Sequence, residues 1–241
     1  MANQYFQFKQ FTIHQDRCAM KVCTDACFFG AWLANELNTF QSKPSHLLDI
    51  GTGTGLLSLM LAQQSNAMIE SIELDPAAFT QACENVAASP WKNQIIVKQG
   101  RMQDMKPAQT YDLIFSNPPF YEKDLQSPDA LVNAARHDST LTFEELISFM
   151  SDHLTEVGKC AVLLPFSRTG YYEEIAKRYG LYTNVKLYLK HTAAHNPFRT
   201  ILLSGKKIIE DISVTEICIK DAAQNYTPAF TALLKDYYLH C

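Results

Sequence analysis

The chain has 241 residues, 47% of them apolar, with a net charge of −4 and an isoelectric point near 6.0. This length and composition can bury a sizeable core, and we expect one α/β domain rather than two small ones. No stretch approaches 18 uncharged apolar residues and no signal-peptide pattern precedes the fold, so we expect a cytoplasmic protein without a membrane partner. The seven cysteines include no C-x-x-C pair, which argues against a disulfide framework or a zinc site.

The first 45 residues are expected to form an extension ahead of the main fold. Aromatic and aliphatic residues fall roughly on alternate positions over residues 6–13, which predicts a short strand or hairpin. Either Thr24 or Asp25 can cap a helix that runs from Ala26 to about Leu37. A Lys-Pro-Ser sequence then separates this helix from the next segment.

Residues 47–62 predict a strand, a glycine-rich turn and a helix. Gly51, Gly53 and Gly55 occupy alternate positions of the turn, which suits close approach of a ligand to the backbone and to the start of the helix. The spacing differs from the G-x-G-x-x-G dinucleotide fingerprint. Asp49 before the turn would repel a pyrophosphate, so a nucleoside with a cationic amino acid tail is the favoured ligand.

The next two predicted strands also end near acidic residues. Residues 68–75 form the first, and Glu73 lies about 24 residues after the acidic residue of the turn, near the offset of a ribose-binding carboxylate. Asp75 could share that role or cap the helix that begins at Pro76. Asp104 follows the second of these strands, where a carboxylate could accept a hydrogen bond from an adenine amino group.

The apolar run 111–115 predicts a buried strand that ends at Asn117, because the two prolines that follow cannot donate to a ladder. Ligands of open α/β sheets bind at the carboxyl ends of the strands. The Asn117 amide and the Pro118 carbonyl can each accept a proton, and the Phe120 ring can stack on a planar group. The stretch therefore predicts a seat for a planar amino group, although Asn-Pro also commonly begins a turn.

A polar loop over residues 121–137 follows, and helices and strands then alternate to the C-terminus. Between residues 175 and 209 there are seven basic residues and no acidic one, interleaved with histidines and aromatics. We interpret this stretch as a surface that faces a polyanion, although an ordinary solvated face would look alike. Its candidate RNA-binding residues are Lys186, Lys190 and Arg199.

Taken together, the glycine turn, Glu73, Asp104 and the Asn-Pro-Pro-Phe motif resemble the class I S-adenosylmethionine-dependent methyltransferases. The overall pattern, including residues 21–26 and 196–199, is similar to the bacterial tRNA-valine adenine-37 N6-methyltransferase family. The resemblance implies a Rossmann-like α/β fold: a seven-stranded, mainly parallel sheet with helices on both faces and an antiparallel C-terminal hairpin. It implies a single domain over residues 1–241, with residues 1–45 as an extension that closes over the cofactor.

The resemblance also assigns roles to residues. S-adenosylmethionine would become S-adenosylhomocysteine as its methyl group moves in line to the N6 amine of an adenine in tRNA, without a metal or an obligate protein partner. Asn117, Pro118 and Phe120 would be catalytic. The implied cofactor residues are Lys21, Thr24, Asp25, Asp49, Gly51, Gly53, Gly55, Glu73, Asp104 and Asn117.

Three alternatives remain open at this point. A protein-glutamine methyltransferase would use the same seat for an amide, but it usually carries a helical N-terminal substrate domain, and only about 45 residues precede the first predicted strand of the main fold here. A DNA adenine methyltransferase would need a base-reading domain that this length does not accommodate. A nucleotide-binding module without activity would use the glycine turn and leave Asn117 idle.

Overall fold

The computed structural model of the chain describes residues 3–118 and 141–240. Within these residues the strands are β1 Tyr5–Gln7, β2 Thr12–His14, β3 His46–Ile50, β4 Met68–Glu73, β5 Ile95–Gln99, β6 Tyr111–Ser116, β7 Leu154–Pro165, β8 Tyr182–Lys190, β9 Arg199–Gly205 and β10 Ser213–Cys218. The α-helices of the same part are α1 Thr24–Glu36, α2 Leu56–Gln64, α3 Pro76–Ala87, α4 Phe143–His153, α5 Thr169–Arg178 and α6 Pro228–Leu234. None of these helices is long and apolar enough to cross a membrane.

Eight strands form the main sheet in the order β10-β8-β9-β7-β6-β3-β4-β5. The pairs from β5 to β7 are parallel, whereas β9 is antiparallel to both β7 and β8. The mainly parallel sheet and the antiparallel β8–β9 hairpin are as predicted, but the sheet has eight strands instead of seven. The additional strand is β10, which returns to pair in parallel with β8 from Ser213 to Cys218 and covers an edge that would otherwise expose unpaired backbone groups.

The central strands are apolar throughout because helices cover both faces of the sheet. On β6, Leu113 and Phe115 belong to one core and Ile114 to the other. Helices α1, α2, α3 and α6 contribute to the first core, whereas α4 and α5 contribute to the second. Polar groups are therefore found mainly at the ends of the strands, above all at their carboxyl ends, which we call the carboxyl edge of the sheet.

Helix α1 is a core helix, although it lies within the predicted N-terminal extension. Its residues from Ala26 to Ala34 are all buried, and an added Cβ at Gly30 would lie 2.6 Å from the sulfur of Met60 in α2. The helix begins after Cys23, which makes no side-chain capping bond, so the prediction that Thr24 or Asp25 caps it is wrong. That residues 1–45 close over the cofactor stays a prediction.

The predicted N-terminal hairpin is present as β1 and β2, which pair from Tyr5–His14 to Gln7–Thr12. Asn85 of α3 fixes its second strand, because its amide accepts from the His14 N–H and donates to the His14 carbonyl, both at 2.9 Å. The hairpin also bridges to the C-terminus through Phe8 and Tyr238. The start of the chain is thereby anchored beside the turn that precedes α2.

Candidate active site

The glycine turn joins β3 to α2 and requires residues that tolerate positive φ. Gly51, Gly53 and Gly55 have φ of 72°, 56° and 83°. The N–H groups of Gly51 and Thr52 both donate to the Ile72 carbonyl at 2.9 and 3.1 Å, which ties the turn to the neighbouring strand β4. An added Cβ at Gly51 or Gly53 would meet nothing within 4 Å, so open space lies beside the turn. The glycines are needed here for backbone conformation, and the space is available to a ligand.

Glu73, at the end of β4, holds this turn with its carboxylate. One oxygen accepts from the Gly53 N–H at 2.7 Å and the other accepts from the Asp75 N–H at 2.9 Å. A carboxylate can accept about four hydrogen bonds in total, so each oxygen keeps capacity for a hydroxyl group. Asp75 caps α3 by accepting from the Ala78 N–H at 2.8 Å, which confirms the predicted cap, and a share in ribose binding stays a prediction.

Asp49 is fully buried below the turn. One of its oxygens accepts from the Thr52 hydroxyl at 2.6 Å and from the Ser58 hydroxyl at 2.7 Å, and Ser58 in turn contacts the Ser71 hydroxyl at 2.8 Å. Burial raises the pKa of Asp49 to about 6, against the two hydroxyl bonds, which lower it. Its other oxygen has no partner among the described residues. Asp49 braces the turn, and its predicted contact with an amino acid tail stays a prediction.

Asn117 lies directly after β6, next to the glycine turn. Strand β6 is the neighbour of β3, with Ser116 opposite Ile50, and the Ser116 hydroxyl donates to the Ile50 carbonyl at 2.7 Å. Asn117 is half-buried and Pro118 is buried. The predicted stacking residue Phe120 and the predicted polar loop after it lie outside the described residues. The structure thus brings the amide and the turn to adjacent strand ends, as the sequence predicts.

Asp104 lies on the opposite side of Glu73 from the turn. It ends a short 3-10 turn, Met102–Asp104, that follows β5, and its side chain is exposed. Strand β5 is fixed to β4 by the Glu73–Gln99 pair and by the Gly100 N–H, which donates to the Glu73 carbonyl at 2.9 Å. The carboxyl edge therefore presents Asp104, Glu73, the glycine turn and Asn117 in that order.

Lys21, Thr24 and Asp25 do not form one cluster. The Lys21 ammonium donates to the Gln15 carbonyl, within the segment that follows β2. This segment runs along α3, since the Arg17 N–H donates to the Gln81 side-chain oxygen at 3.3 Å and the Arg17 guanidinium pairs with Glu84 at 2.8 Å. Lys21 consequently belongs to the part of the chain that packs on α3.

Asp25 is engaged on the other side, with Arg199 at the start of β9. The Arg199 Nε donates to the Asp25 Oδ2 at 2.7 Å, and only 12% of the Asp25 side chain is exposed. Although burial works in the opposite direction, hydrogen bonds from Cys23 and Arg199 hold the pKa of Asp25 below its ordinary value. A predicted cofactor residue and a predicted RNA-binding residue are therefore each other's partners.

The basic stretch is largely neutralised by acidic residues from elsewhere in the chain. Lys186 pairs with Glu173 at 2.7 Å and Lys190 pairs with Glu216 at 3.2 Å. Both lysines lie on the same face of β8. Arg199 pairs with Leu189, whose side chain lies on the opposite face of the sheet, in the core to which α1 and α2 contribute. The three predicted RNA-binding residues are thus divided between two faces of the sheet, and each is in an ion pair.

Several residues that hold the site were not predicted. The hydroxyls of Thr52, Ser58 and Ser71 satisfy Asp49, and Asn85 also donates to the Thr54 carbonyl at 2.9 Å, which links the turn to the N-terminal hairpin. The one sequence feature that indicates a buried polar contact here is Ser58, the single hydroxyl residue inside the apolar helix α2. The role of Asn85 could not be predicted from the sequence, because it depends on the contact between α3 and the N-terminal hairpin. Among the described residues no group of three His, Cys, Asp or Glu side chains could hold a metal ion.

Comparison with solved structures places this architecture in one class. A predicted O-methyltransferase from Agrobacterium tumefaciens aligns with a TM-score of 0.62 at 13% identity, covering 88% of this chain and 96% of that one. The glycopeptide N-methyltransferase MtfA, solved with S-adenosyl-L-methionine, aligns with a TM-score of 0.54 at 12% identity, covering 74% of this chain and 88% of that one. The fold is that of the class I methyltransferases, which confirms the predicted fold class.

Sequence comparison identifies the family within this class. Residues 31–177 match the family described as the methyltransferase small domain. The tRNA1(Val) (adenine(37)-N6)-methyltransferase of Dyadobacter fermentans is 40% identical over 242 residues, with 98% of both chains covered. The protein of the same name from Bacteroides thetaiotaomicron is 39% identical over 246 residues, covering 100% of this chain and 99% of its own. The chain belongs to the tRNA1(Val) (adenine(37)-N6)-methyltransferase family, as the sequence motifs predict.

Proposed function

We propose that the protein transfers a methyl group from S-adenosylmethionine to the N6 amine of adenine 37 in tRNA-valine. The observation that carries this proposal is the register of β3 and β6, which brings Asn117 beside the glycine turn. A seat for an amine and a turn for a nucleoside then share one edge of the sheet. A tRNA substrate also makes the cytoplasm the compartment in which the enzyme works.

The residues at the turn fit the cofactor. When bound, S-adenosylmethionine supplies an electrophilic methyl group on a positively charged sulfur and leaves as S-adenosylhomocysteine. Glu73 would accept the ribose hydroxyls with the capacity that its two backbone bonds leave free. Asp104 would accept from the adenine amino group. Gly51 and Gly53 leave the space that the ligand would occupy, since a Cβ at either position meets nothing within 4 Å.

The other predicted cofactor residues would act around the amino acid tail. Lys21, whose ammonium donates to the Gln15 carbonyl, would reach the tail from the segment before α1. Thr24 and Asp25 begin α1, so their backbone is fixed by a buried helix. Asp49 would contribute its negative charge from below the turn, where one oxygen still lacks a partner among the described residues.

Asn117 and Pro118 would orient the target amine. The lone pair of an aromatic amine is delocalised into its ring, which makes the nitrogen a poor nucleophile. The Asn117 side-chain carbonyl and the Pro118 backbone carbonyl would each accept one N–H, so that the lone pair can turn out of the ring plane. Such positioning can contribute several kcal/mol of the rate enhancement. The N–H becomes more acidic as the new bond forms, and its proton can leave afterwards without a dedicated strong base.

The test of this role is Asn117→Ala. We expect kcat for tRNA methylation to fall by about 100- to 1,000-fold because the amine loses an oriented acceptor. The affinity for S-adenosylmethionine, measured by calorimetry, should stay within about threefold of wild type. Asn93→Ala, at an exposed asparagine between α3 and β5, is the matched control and should leave both values unchanged. Retained turnover in Asn117→Ala would contradict the proposed catalytic role.

A further inference from the structure

The tip of the β8–β9 hairpin carries a stacked pair of rings that the proposed chemistry does not use. His191 and Phe198 lie parallel, with ring centroids 4.0 Å apart and an angle of 6° between the planes. Phe198 packs against the core on one side, whereas His191 is exposed. His195 meets His191 edge-on at 6.0 Å. One broad face of the stack is therefore covered by protein, and the exposed ring of His191 forms the outer layer.

The stack is held by backbone bonds on several sides. The Phe198 N–H donates to the Leu189 carbonyl at 3.0 Å, which closes the hairpin, and the Lys220 N–H donates to the His191 carbonyl at 2.9 Å. Thr192 and His195 are joined through their side chains at 2.7 Å and through their backbones at 3.1 Å. An exposed ring held in this way loses little conformational freedom when it binds a partner.

The hairpin tip rises at the same edge of the sheet as Asn117. Ser116 is level with Val162 of β7, whereas Arg199 is level with Pro165, three residues further along the same strand. At roughly 3.3 Å per residue the tip therefore extends about 10 Å beyond the level of Ser116, and β9 is about two strand spacings, or 10 Å, to the side of β6. The stack therefore lies at the same edge as Asn117, about 10 Å beyond and about 10 Å to the side of the end of β6.

Two of the cations near the tip are already paired within the protein. Lys190 is paired with Glu216, and Arg199 is paired with Asp25. The Arg199 guanidinium carbon is 5.9 Å from the centre of the Phe198 ring, so this cation contacts the stack, but its charge is already matched by Asp25. What the tip offers to a partner is a flat ring face, and nucleobases stack on such faces with little regard to sequence.

We infer that the outer face of His191 is a stacking platform for an unpaired base of the RNA substrate, next to the adenine that is methylated. This inference rests on the proposed function for the identity of the RNA. An adenine in structured RNA must leave its stack to reach the active site of an enzyme, and the neighbouring base then loses a stacking partner. A ring of the protein that stacks on this neighbouring base recovers part of the lost stacking free energy. The site requires a planar partner and a single-stranded segment.

The experiment measures binding of a short single-stranded oligoribonucleotide that carries 2-aminopurine, whose fluorescence responds to stacking. His191→Ala should weaken binding by about 5- to 100-fold, by a similar factor at low and high salt, because stacking releases few counterions. His191→Phe should retain near wild-type affinity and the fluorescence response. His46→Ala, at the opposite edge of the sheet, is the matched control and should change neither.

The binding assay needs no turnover, so the two proposals can fail separately. If tRNA is methylated but His191→Ala binds the oligonucleotide as wild type does, the platform is wrong and the proposed function stands. If wild type methylates no tRNA but binding still depends on a ring at position 191, the proposed function fails and the platform stands. The platform is also overturned if wild type does not bind the oligonucleotide, as expected if a protein covers the tip, or if His191→Phe fails to restore binding.

Discussion

The two halves of the carboxyl edge are built in different ways. On the β3–β4 side, the carboxylates of Asp49 and Glu73 bind hydroxyls and backbone N–H groups that lie at most 20 residues away in the chain. On the β8–β9 side, charged side chains bind one another, and the pair at the carboxyl edge, Asp25 and Arg199, is 174 residues apart in the chain. The first half is a local structure that prepares a ligand site, and the second joins distant parts of the fold.

The difference also concerns how each half uses charge. Glu73 keeps acceptor capacity that can be offered to a ligand, and one oxygen of the buried Asp49 has no partner among the described residues. Lys186, Lys190 and Arg199 have their charges matched within the protein. We therefore expect substitutions in the first half to change cofactor affinity, and substitutions in the second half to change stability and the contact with RNA.

The largest effect on cofactor affinity is expected at Glu73. Glu73→Ala removes the proposed ribose acceptor and the partner of the Gly53 N–H. We expect S-adenosylmethionine affinity to fall by about 100-fold, or roughly 3 kcal/mol, since hydrogen bonds to a charged group are lost and the turn loosens. Calorimetry measures it, with Glu84→Ala on the exposed side of α3 as the control. Equal affinity in both variants would contradict the account of this half.

The next effect is a pH dependence that comes from Asp49. Its pKa in the folded protein is about 6, above the ordinary 3.8, so the folded state holds this proton more tightly than the unfolded state. Stability contributed by the protonated form is present below about pH 4 and is lost as the pH rises to about 6. The free energy of unfolding of wild type relative to Asp49→Asn should fall by about 3 kcal/mol over this window.

Urea denaturation at a series of pH values measures this difference. Asp49→Asn cannot ionise, so an offset between the two proteins that is independent of pH reflects packing, and only the change with pH reports the carboxyl group. Parallel stability curves between pH 4 and 7 would mean that the hydroxyls of Thr52 and Ser58 compensate the burial of the charge.

The third effect compares two ion pairs of the β8–β9 half. Asp25–Arg199 is mostly shielded, with 12% and 33% of the side chains exposed, whereas Glu216 of the Lys190–Glu216 pair is 53% exposed. A double-mutant cycle should give a coupling energy of about 1–3 kcal/mol for the first pair and under about 1 kcal/mol for the second. Denaturation of the single and double alanine variants measures both. Similar coupling energies would show that shielding does not distinguish these pairs.

The sequence predicts the first half of the edge better than the second for a physical reason. Glycines at positive φ, the carboxylates at the ends of β3 and β4, and prolines after β6 are local requirements, and each is recognisable at a fixed spacing in the chain. The seven basic residues between 175 and 209 predict a charged surface only if nothing else neutralises them. Five of them pair with acidic residues from other segments, at Arg178, Lys186, Lys190, Arg199 and Lys206.

The same reasoning applies to two elements at the ends of the fold. The sequence predicts a strand over residues 214–219, but β10 is exposed over most of its length, so only its pairing with β8 shows that it joins the sheet as an eighth strand. Helix α1 lies within the predicted extension. Its burial between α2 and α6 depends on contacts with segments that come later in the chain.

The most direct test of the central claim is the transfer of a labelled methyl group from S-adenosylmethionine by the wild-type protein. Separate fractions of total RNA, DNA and protein from cells that lack the enzyme serve as substrates, and the products are hydrolysed and analysed. If the edge of the sheet holds an adenine of tRNA at Asn117, the label will appear in the tRNA fraction as N6-methyladenosine. Label found instead on a glutamine of the protein fraction, or on an adenine of DNA, would contradict it.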